Sequence, residues 1–365
     1  MFRKMLPVFV LAGWLLMATA ATAAPVTVEE VQAAIKAQGA QWTAGDNEAA
    51  QMHELYGWYP ANLTMPILTG KERYFQPLET ADLPAHLDWR DMDGKNYITK
   101  VKNQNSCGSC WAFATVGPIE AHIAIQENWP DMDINLSEQM LVSCCHSVGC
   151  SGCNGGFTTS SFDFAENPGL VDEDCFPYKQ NDSEPCDNKC GDWADRVFKI
   201  DSWEIIGEGA LGAILPDPAD MMAALQYGPV GTSLVIYPDF YDYESGIYTT
   251  VIGMPEGFHA VTIVGYDADE QYWICKNSWG SFWGEDGYFK IKWGAAFIGA
   301  FTILPHYTAQ GLNPGDDDDA DDDAADDDTG ADDDTGGGQT DDDNQSTPTP
   351  DKSDDDDDDD SGGCS

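Results

Sequence analysis

Apolar and polar positions divide the chain into stretches of distinct character. Residues 6–17 form an apolar run, with Arg3 and Lys4 before it and Ala21-Thr22-Ala23 after it. The run is too short to cross a bilayer. A basic start, an apolar middle and a small-x-small end predict a secretory signal peptide over residues 1–23, cut after Ala23. Residues 28–37 carry the spacing of an amphipathic helix, and little periodicity follows until residue 82. Residues 24–82 are too few and too loop-like to build a core of their own. Beyond residue 83 the helical signals come first. One apolar segment opens at Cys110 with Ser109 as its N-cap, and another runs from Ser137, also a cap, to Val142. Gly117-Pro118 inside the first segment predicts a kink two turns after Cys110. Residues 197–303 are rich in aromatic and β-branched residues punctuated by glycine, which predicts strands. Helices first and strands later make an α+β fold.

Candidate chemistry sharpens this pattern. Gln104-Asn105-Ser106-Cys107-Gly108-Ser109-Cys110-Trp111-Ala112-Phe113 places Cys110 in the first helical turn. Open N–H groups and the helix dipole favour a thiolate there. Gln104 is a neutral donor six residues upstream. A single cysteine beside a tryptophan reads first as a half-cystine, but Cys-Gly-Ser-Cys-Trp reads as a nucleophile signature. Such a thiolate needs an imidazole partner and a group to orient that imidazole. Of the six histidines, His53, His86, His122, His146 and His306 lie in polar or loop-like surroundings and read as solvated. His259 opens a β-rich run 149 positions after Cys110, and a second run, Tyr272–Lys276, leads into Asn277. Two adjacent strands would then set Asn277 beside His259. Alone, His259 reads as a satisfied core histidine; with Cys110 and Asn277 in order it becomes the candidate base.

Four motifs stand in this order: QNSCGSCWAF (104–113), GCNGG (152–156), HAVTIVGYD (259–267) and KNSWG (276–280). Together they resemble the papain-like cysteine proteases of the cathepsin group, over about residues 83–306. The resemblance implies a papain-like two-lobe fold. Its N-terminal lobe would be helical and its C-terminal lobe β-barrel-like, with the active-site cleft between them. It implies Cys110 as nucleophile, His259 as acid and base, and Asn277 as the group orienting the imidazole. Gln104 and the Cys110 N–H would form the oxyanion hole, and Trp279 would shield the His–Asn hydrogen bond. Gly155 and Gly156 would bind the substrate backbone, with Phe157, Phe258, Ala260 and Phe301 in the substrate-binding surface. No metal and no cofactor is implied.

The resemblance also divides the chain. Leu83-Pro84-Ala85-His86-Leu87-Asp88-Trp89-Arg90 is similar to the start of the mature family enzymes, so residues 83–307 become the catalytic domain. Residues 24–82 become an inhibitory propeptide, with Gln41-Trp42-Thr43-Ala44-Gly45 similar to the short propeptide of cathepsin B. A protease exported active would attack its own export route; the plain alternative for this stretch is a linker. Eleven cysteines suit an oxidising compartment. The crowding of Cys144, Cys145, Cys150 and Cys153 resembles cathepsin B. By that resemblance the bridges are Cys107–Cys153 and Cys145–Cys150, with Cys144–Cys186 and Cys175–Cys190 favoured for the other four cysteines. Zinc is the alternative for such a cluster, and the disulfide frame disfavours it. Cys275 reads as a core thiol.

Past Tyr307 the composition changes. Residues 316–365 hold 24 Asp and one base, Lys352, which is −23 of the chain's net −47. With no aromatic residue, residues 308–365 read as a disordered, self-repelling acidic tail. A solvated spacer is the ordinary reading, and loose Ca²⁺ binding by its carboxylates is the functional one. The tail ends Gly362-Gly363-Cys364-Ser365, which resembles a C-terminal sorting site without its hydrophobic helix. Surface attachment through Cys364 and a plain secreted monomer both stay open. The remaining −24 argues against nucleic acid or an anionic membrane as partner.

The function expected is a cysteine endopeptidase made as a zymogen, secreted, periplasmic or held at the cell surface. Its partners would be peptide or protein substrates and its own propeptide. Phe301, or Ala300 one register away, would floor an apolar second subsite preferring Leu, Val or Phe. The Cys175–Cys190 loop holds no histidine, unlike the occluding loop of a carboxydipeptidase. Two other classes compete: an idle surface-associated protein on the same scaffold, and a transglutaminase-like acyl transferase. Intact Cys110, His259, Asn277 and Gln104 tell against the first, and the four motifs against the second.

Overall fold

One helix, α2 (Cys110–Gln126), organises the fold. It is apolar on every side, which suits an interior element, and all but three of its 17 residues are buried. This corrects the reading of His122 as a surface group. Carried on α2, it is 2% exposed, and its Nε2 lies 3.0 Å from the Pro229 carbonyl. The helix continues through Pro118 as one element. Proline offers no N–H to the Ala114 carbonyl four residues back. Strand β4 (Val230–Ile236) comes up against that oxygen, where a Cβ on Gly231 would stand 2.3 Å away. Only glycine lets helix and sheet meet there. The computed structural model describes residues 26–51, 72–77 and 83–311. The expected signal peptide, the Asp-rich stretch with its Ca²⁺ reading, Cys364 and His53 lie outside the described residues.

On one side α2 meets α3 (Glu138–Cys144) and α4 (Thr158–Glu166). Ser137 caps α3, its hydroxyl accepting from the Met140 N–H at 3.0 Å. On its other side lies a nine-stranded sheet. Its strands besides β4 are β1 (Trp42–Ala44), β2 (His86–Asp88), β3 (Ser202–Ile205), β5 (Tyr243–Tyr248), β6 (Gly257–Asp267), β7 (Tyr272–Lys276), β8 (Tyr288–Lys292) and β9 (Ala300–His306). They run β1-β5-β8-β7-β6-β4-β9-β3, with β2 on β6. All pairs are antiparallel except β5 with β8. Strand β4 is buried at every position, Thr232 and Ser233 included.

Two expectations need correction. The sheet is not closed into a barrel: β1 and β3 end the order, and among the described residues they do not pair. Closure needs two open edges to meet, and here the N-terminal stretch occupies both. β1 lies on β5, and Tyr74 bridges in parallel to Ile205 on β3. The region read as strands also contains two helices, α5 (Gly209–Ile214) and α6 (Pro218–Leu225). Asp217 caps α6 through the Ala219 N–H and Pro218 sits in its first turn, a start signal present in the sequence.

Two hydrophobic clusters result. One gathers Trp111, Phe162, Phe176 and Trp203 around the helices. The other holds Tyr243, Trp273, Trp283 and Phe289 of the sheet, and Val31, Trp42 and Phe75 from the N-terminal stretch join it. That stretch borrows a core. Helix α1 (Val28–Gln38), opened by a Thr27–Glu30 capping box, and the Trp42 ring, 5.1 Å from Tyr248, attach it.

Gly231→Ala should destabilise the chain by about 1–3 kcal/mol through overpacking against Ala114. The readout is a lower urea midpoint at unchanged slope. A shift under about 0.5 kcal/mol would show that α2 and β4 do not depend on this approach.

Candidate active site

Cys110 opens α2, directly after a turn held by the Cys107–Cys153 disulfide and by the Gly108 N–H bonded to the Cys153 carbonyl at 3.0 Å. Ser109 occupies the N-cap position but does not cap with its side chain. Its hydroxyl lies 2.6 Å from the Tyr178 hydroxyl instead. The first-turn N–H groups are therefore not covered by that side chain, and the dipole stays directed at Cys110. Along its length α2 packs on β6, where a Cβ on Gly117 would stand 2.8 Å from Thr262 Oγ1. Cys110 shares a buried cluster with Ala260, the neighbour of His259.

His259 lies on β6 and Asn277 follows β7, the adjacent strand. Their side chains meet, with His259 Nε2 2.8 Å from Asn277 Oδ1. The Ser278 N–H also donates to Oδ1, at 2.8 Å, which marks that atom as the acceptor. His259 Nε2 must then carry the proton, and in the neutral ring Nδ1 is left with its lone pair. Among the described residues Nδ1 has no hydrogen-bond partner. Burial pushes the His259 pKa down to about 4, against the opposing pull of the Asn277 hydrogen bond. The covered ring is thus neutral, with a base at Nδ1. The Trp279 ring lies 4.9 Å from it and stacks on Tyr241 at 5.4 Å, placing indole carbon beside the His–Asn pair.

Gln104 is held at both ends of its amide. Nε2 donates to the Cys107 carbonyl at 2.9 Å, and Oε1 accepts from Ser278 Oγ at 2.7 Å. Its backbone N–H bonds the Ser278 carbonyl, so the turn before Cys110 is tied to the residue after Asn277. Gly156 runs against Trp111, where a Cβ on it would stand 2.6 Å from the indole, and Gly155 before it has φ 110°. Phe157 is half-buried and Phe258 is 37% exposed, whereas Ala260 and Phe301 are buried. The disulfides are Cys107–Cys153, Cys144–Cys186, Cys145–Cys150 and Cys175–Cys190, and Cys110 and Cys275 take no part in them. Burial drives the Cys275 thiol pKa far upward, which leaves it inert. Among the described residues no group of three or more His, Cys, Asp or Glu is placed to hold a metal ion.

Sequence reasoning missed a buried charged cluster beneath these groups. Lys102 Nζ donates to Glu120 and Glu138, at 2.8 Å each, and to the Leu136 carbonyl at 2.9 Å. Lys276, next to Asn277, donates to Thr99 Oγ1 at 2.9 Å, and that hydroxyl donates to Glu120. Burial pushes Lys276 down to about 8 and Glu138 up to about 7. At Lys102 burial acts downward, but the two carboxylates outweigh it and the net shift is upward. A paired, hydrogen-bonded arrangement is what allows charges at this depth. It joins α2, α3 and the end of β7. A glutamate within a mostly apolar helix was the available signal.

Residues 83–302 match the family described as papain family cysteine protease. Cathepsin B-like CP3 of Giardia intestinalis is 34% identical over 293 residues, covering 76% of this chain and 92% of that protein. Digestive procathepsin L 3 from the larval midgut of Tenebrio molitor superposes with a TM-score of 0.63 at 26% identity, over 76% of this chain and 87% of that one. The proCathepsin B S9 of Trypanosoma congolense shares the fold, with a TM-score of 0.64 at 22% identity over 78% and 100% of the two chains. With a cysteine opening its central helix, a hydrogen-bonded His–Asn pair and this extent of match, the chain belongs to the papain family of cysteine proteases.

Proposed function

We propose that the chain is the exported zymogen of a cysteine endopeptidase whose nucleophile is Cys110. The observation that carries this reading is the neutral His259 ring, its Nε2–H committed to Asn277 and its Nδ1 lone pair uncommitted. Nδ1 would take the Cys110 proton, and the thiolate would attack the peptide carbonyl carbon as the C=O electron pair moves to oxygen. The oxyanion would accept from the Cys110 N–H and Gln104 Nε2. The imidazolium would protonate the amine as the oxyanion collapses and the C–N bond breaks, leaving a Cys110 thioester. Water, deprotonated by Nδ1, would then hydrolyse the thioester. Residues 83–307 form the catalytic domain in this reading and residues 24–82 the propeptide. Supporting the latter, β1 and Tyr74 lie on the sheet edges, and Cys110 and His259 are both 0% exposed in the full chain. Residues 308–365 serve as an acidic spacer.

Removing residues 24–82 should let an epoxysuccinyl reagent label Cys110, located by mass spectrometry, while the full chain labels slowly. No label at Cys110 in the shortened form would sink the enzyme reading. Cys110→Ser should lower kcat on the order of 10⁴-fold or more, and Asn277→Ala by no more than about 10²-fold. Equal losses in two folded variants would contradict the roles assigned.

Specificity rests on Phe301, an apolar buried residue at the start of β9. A peptide library should show Leu, Val or Phe preferred at P2, with internal cleavage the main reaction. Preferred Arg at P2, or release of C-terminal dipeptides, would overturn the subsite and the endopeptidase reading.

Burial of His259 gives the covered form a pH dependence. A histidine lowered from 6.5 to about 4 binds fewer protons folded than unfolded below pH 6.5. Its contribution is intact above pH 6.5 and is lost as pH falls towards 4, by ~2–3 kcal/mol at pH 4.5. Glu138, raised to about 7, acts in the opposite sense over the same window, so variants must be compared. In a Cys110→Ser chain, adding His259→Gln should reduce the loss of stability between pH 6.5 and 4.5 by that amount. Identical pH slopes, from urea midpoints, would mean that His259 titrates freely in the covered chain.

A further inference from the structure

Tyr178 bridges the two stretches assigned to hold the oxyanion. Its hydroxyl donates to the Gln104 carbonyl at 3.0 Å and stands 2.6 Å from Ser109 Oγ. A phenol has one proton and a carbonyl only accepts. The proton therefore goes to Gln104, and the Ser109 hydroxyl donates to the phenol oxygen. The other acceptor near Ser109 Oγ is the Cys107 carbonyl, at 3.5 Å. That oxygen already accepts from the Ser109 N–H at 2.8 Å and from Gln104 Nε2 at 2.9 Å. The path runs one way, Ser109 to Tyr178 to Gln104. Ser109 immediately precedes Cys110, whose N–H is one oxyanion donor in the mechanism above, and Gln104 carries the other.

The turn between these residues closes weakly by itself. Its own bond, from the Cys107 N–H to the Gln104 carbonyl, is 3.3 Å long, and Asn105 within it has φ 50°. A residue other than glycine is kept in that left-handed region by its surroundings. Tyr178 is fixed from three sides. Its N–H donates to Glu173 Oε1 at 2.7 Å, its ring meets Phe113 of α2 edge-on at 5.1 Å, and Cys175, three residues before it, is bonded to Cys190. Gln104 and Ser109 are both 0% exposed, so each depends on the phenol rather than on bulk water. We infer that Tyr178 is a positioning residue for the oxyanion hole. Its hydroxyl holds the Gln104 backbone and the start of α2 on one oxygen, and so sets the spacing between Gln104 Nε2 and the Cys110 N–H. The inference rests on the Cys110 mechanism proposed above. Oxyanion donors are matched to where the oxygen stands in the transition state, not to the ground-state carbonyl. Loss of the bridge should therefore fall on kcat and spare KM.

The test uses the full chain cleaved in its folded state, as wild type, Tyr178→Phe, Gln104→Ala and the double variant. On a short fluorogenic peptide Tyr178→Phe should lower kcat about tenfold or more, towards the ~10²-fold that a misplacement of ~1 Å costs. KM should stay within about twofold. A peptide aldehyde reads the hole directly. The Cys110 thiolate adds to its carbonyl carbon, the C=O electron pair moves to oxygen, and the oxyanion formed sits in the hole. Its inhibition constant should rise in step with the loss in kcat. Iodoacetamide alkylates the same thiolate, expelling iodide and forming no oxyanion, and its rate should stay within about twofold of wild type. In the Gln104→Ala background Tyr178→Phe should cost less than about twofold further. Unchanged kcat in Tyr178→Phe, alkylation that slows together with turnover, or losses that multiply in the double variant would each overturn the inference. Ser109→Ala cuts the bridge at its other end and carries the same cycle if Tyr178→Phe does not fold. It should lower kcat alone but not in the Gln104→Ala background, and unchanged kcat there too counts against the bridge. Failure of the Cys110 mechanism reads out differently. A cleaved wild type without activity, or full activity in Gln104→Ala, rejects that mechanism and the bridge with it. An active wild type that Gln104→Ala weakens and Tyr178→Phe does not rejects the role of Tyr178 alone.

Discussion

The constraint on which the rest depends is the close approach of α2 to the sheet. A proline at 118 leaves the Ala114 carbonyl without its helical donor, and glycines at 117 and 231 remove the side chains that would hold strands away. The helix can then lie against β4 and β6 at backbone distance. Because Cys110 starts that helix and His259 lies on β6, the same contact sets the relation of thiol-bearing helix to imidazole-bearing strand. The Gln104–Ser278 bonds and the buried charges around Lys102 tie the turn before Cys110 to the end of β7. Helix and sheet are thus fastened twice, once by close packing and once by polar groups largely shut off from water.

How much of this could be read from the chain depended on whether the signal was local. Cys110, His259 and Asn277 stand in short motifs whose spacing carries the chemistry, and two successive strands leading to His259 and Asn277 make their meeting legible. The start of α2 was equally plain, yet the role of Ser109 was not. A capping residue next to a tyrosine hydroxyl 69 positions away is decided by tertiary contact. His122 was misjudged because the burial of a helix on all sides is a property of its neighbours. The helices α5 and α6 were hidden by a general rise in β-forming residues, although Asp217-Pro218 announced one of them. The β-barrel-like lobe was what the resemblance implied, and no local pattern in the sequence says which segments will occupy the sheet edges. The partners of Lys102 lie 18 and 36 residues away on separate helices, and no pattern in the sequence pairs them.

The N-terminal stretch shows how a segment with too few apolar residues for a core can still be ordered. Val31, Trp42 and Phe75 are spaced widely in sequence and enter a cluster already built by the sheet. Strand pairing at two edges satisfies backbone groups that a loop of this composition would leave to solvent. Among the described residues the attachment is thus spread over separate contacts, at α1, at β1 and at Tyr74–Phe75.

The disulfide between Cys107 and Cys153 sets a further condition on where such a molecule can work. It joins the turn before Cys110 to the segment leading into Gly155 and Gly156, so one covalent link steadies both the thiol's approach and the neighbouring backbone. Two residues separate a sulfur held in a disulfide from one outside any disulfide. Thiol–disulfide exchange does not distinguish them by type, only by access and acidity. The burial of Cys110 in the full chain withholds it from peroxide and from mixed disulfides. With Cys110 as its nucleophile, such a protease would work only between two redox limits: reducing enough to keep one sulfur a thiolate, oxidising enough to spare the bond beside it.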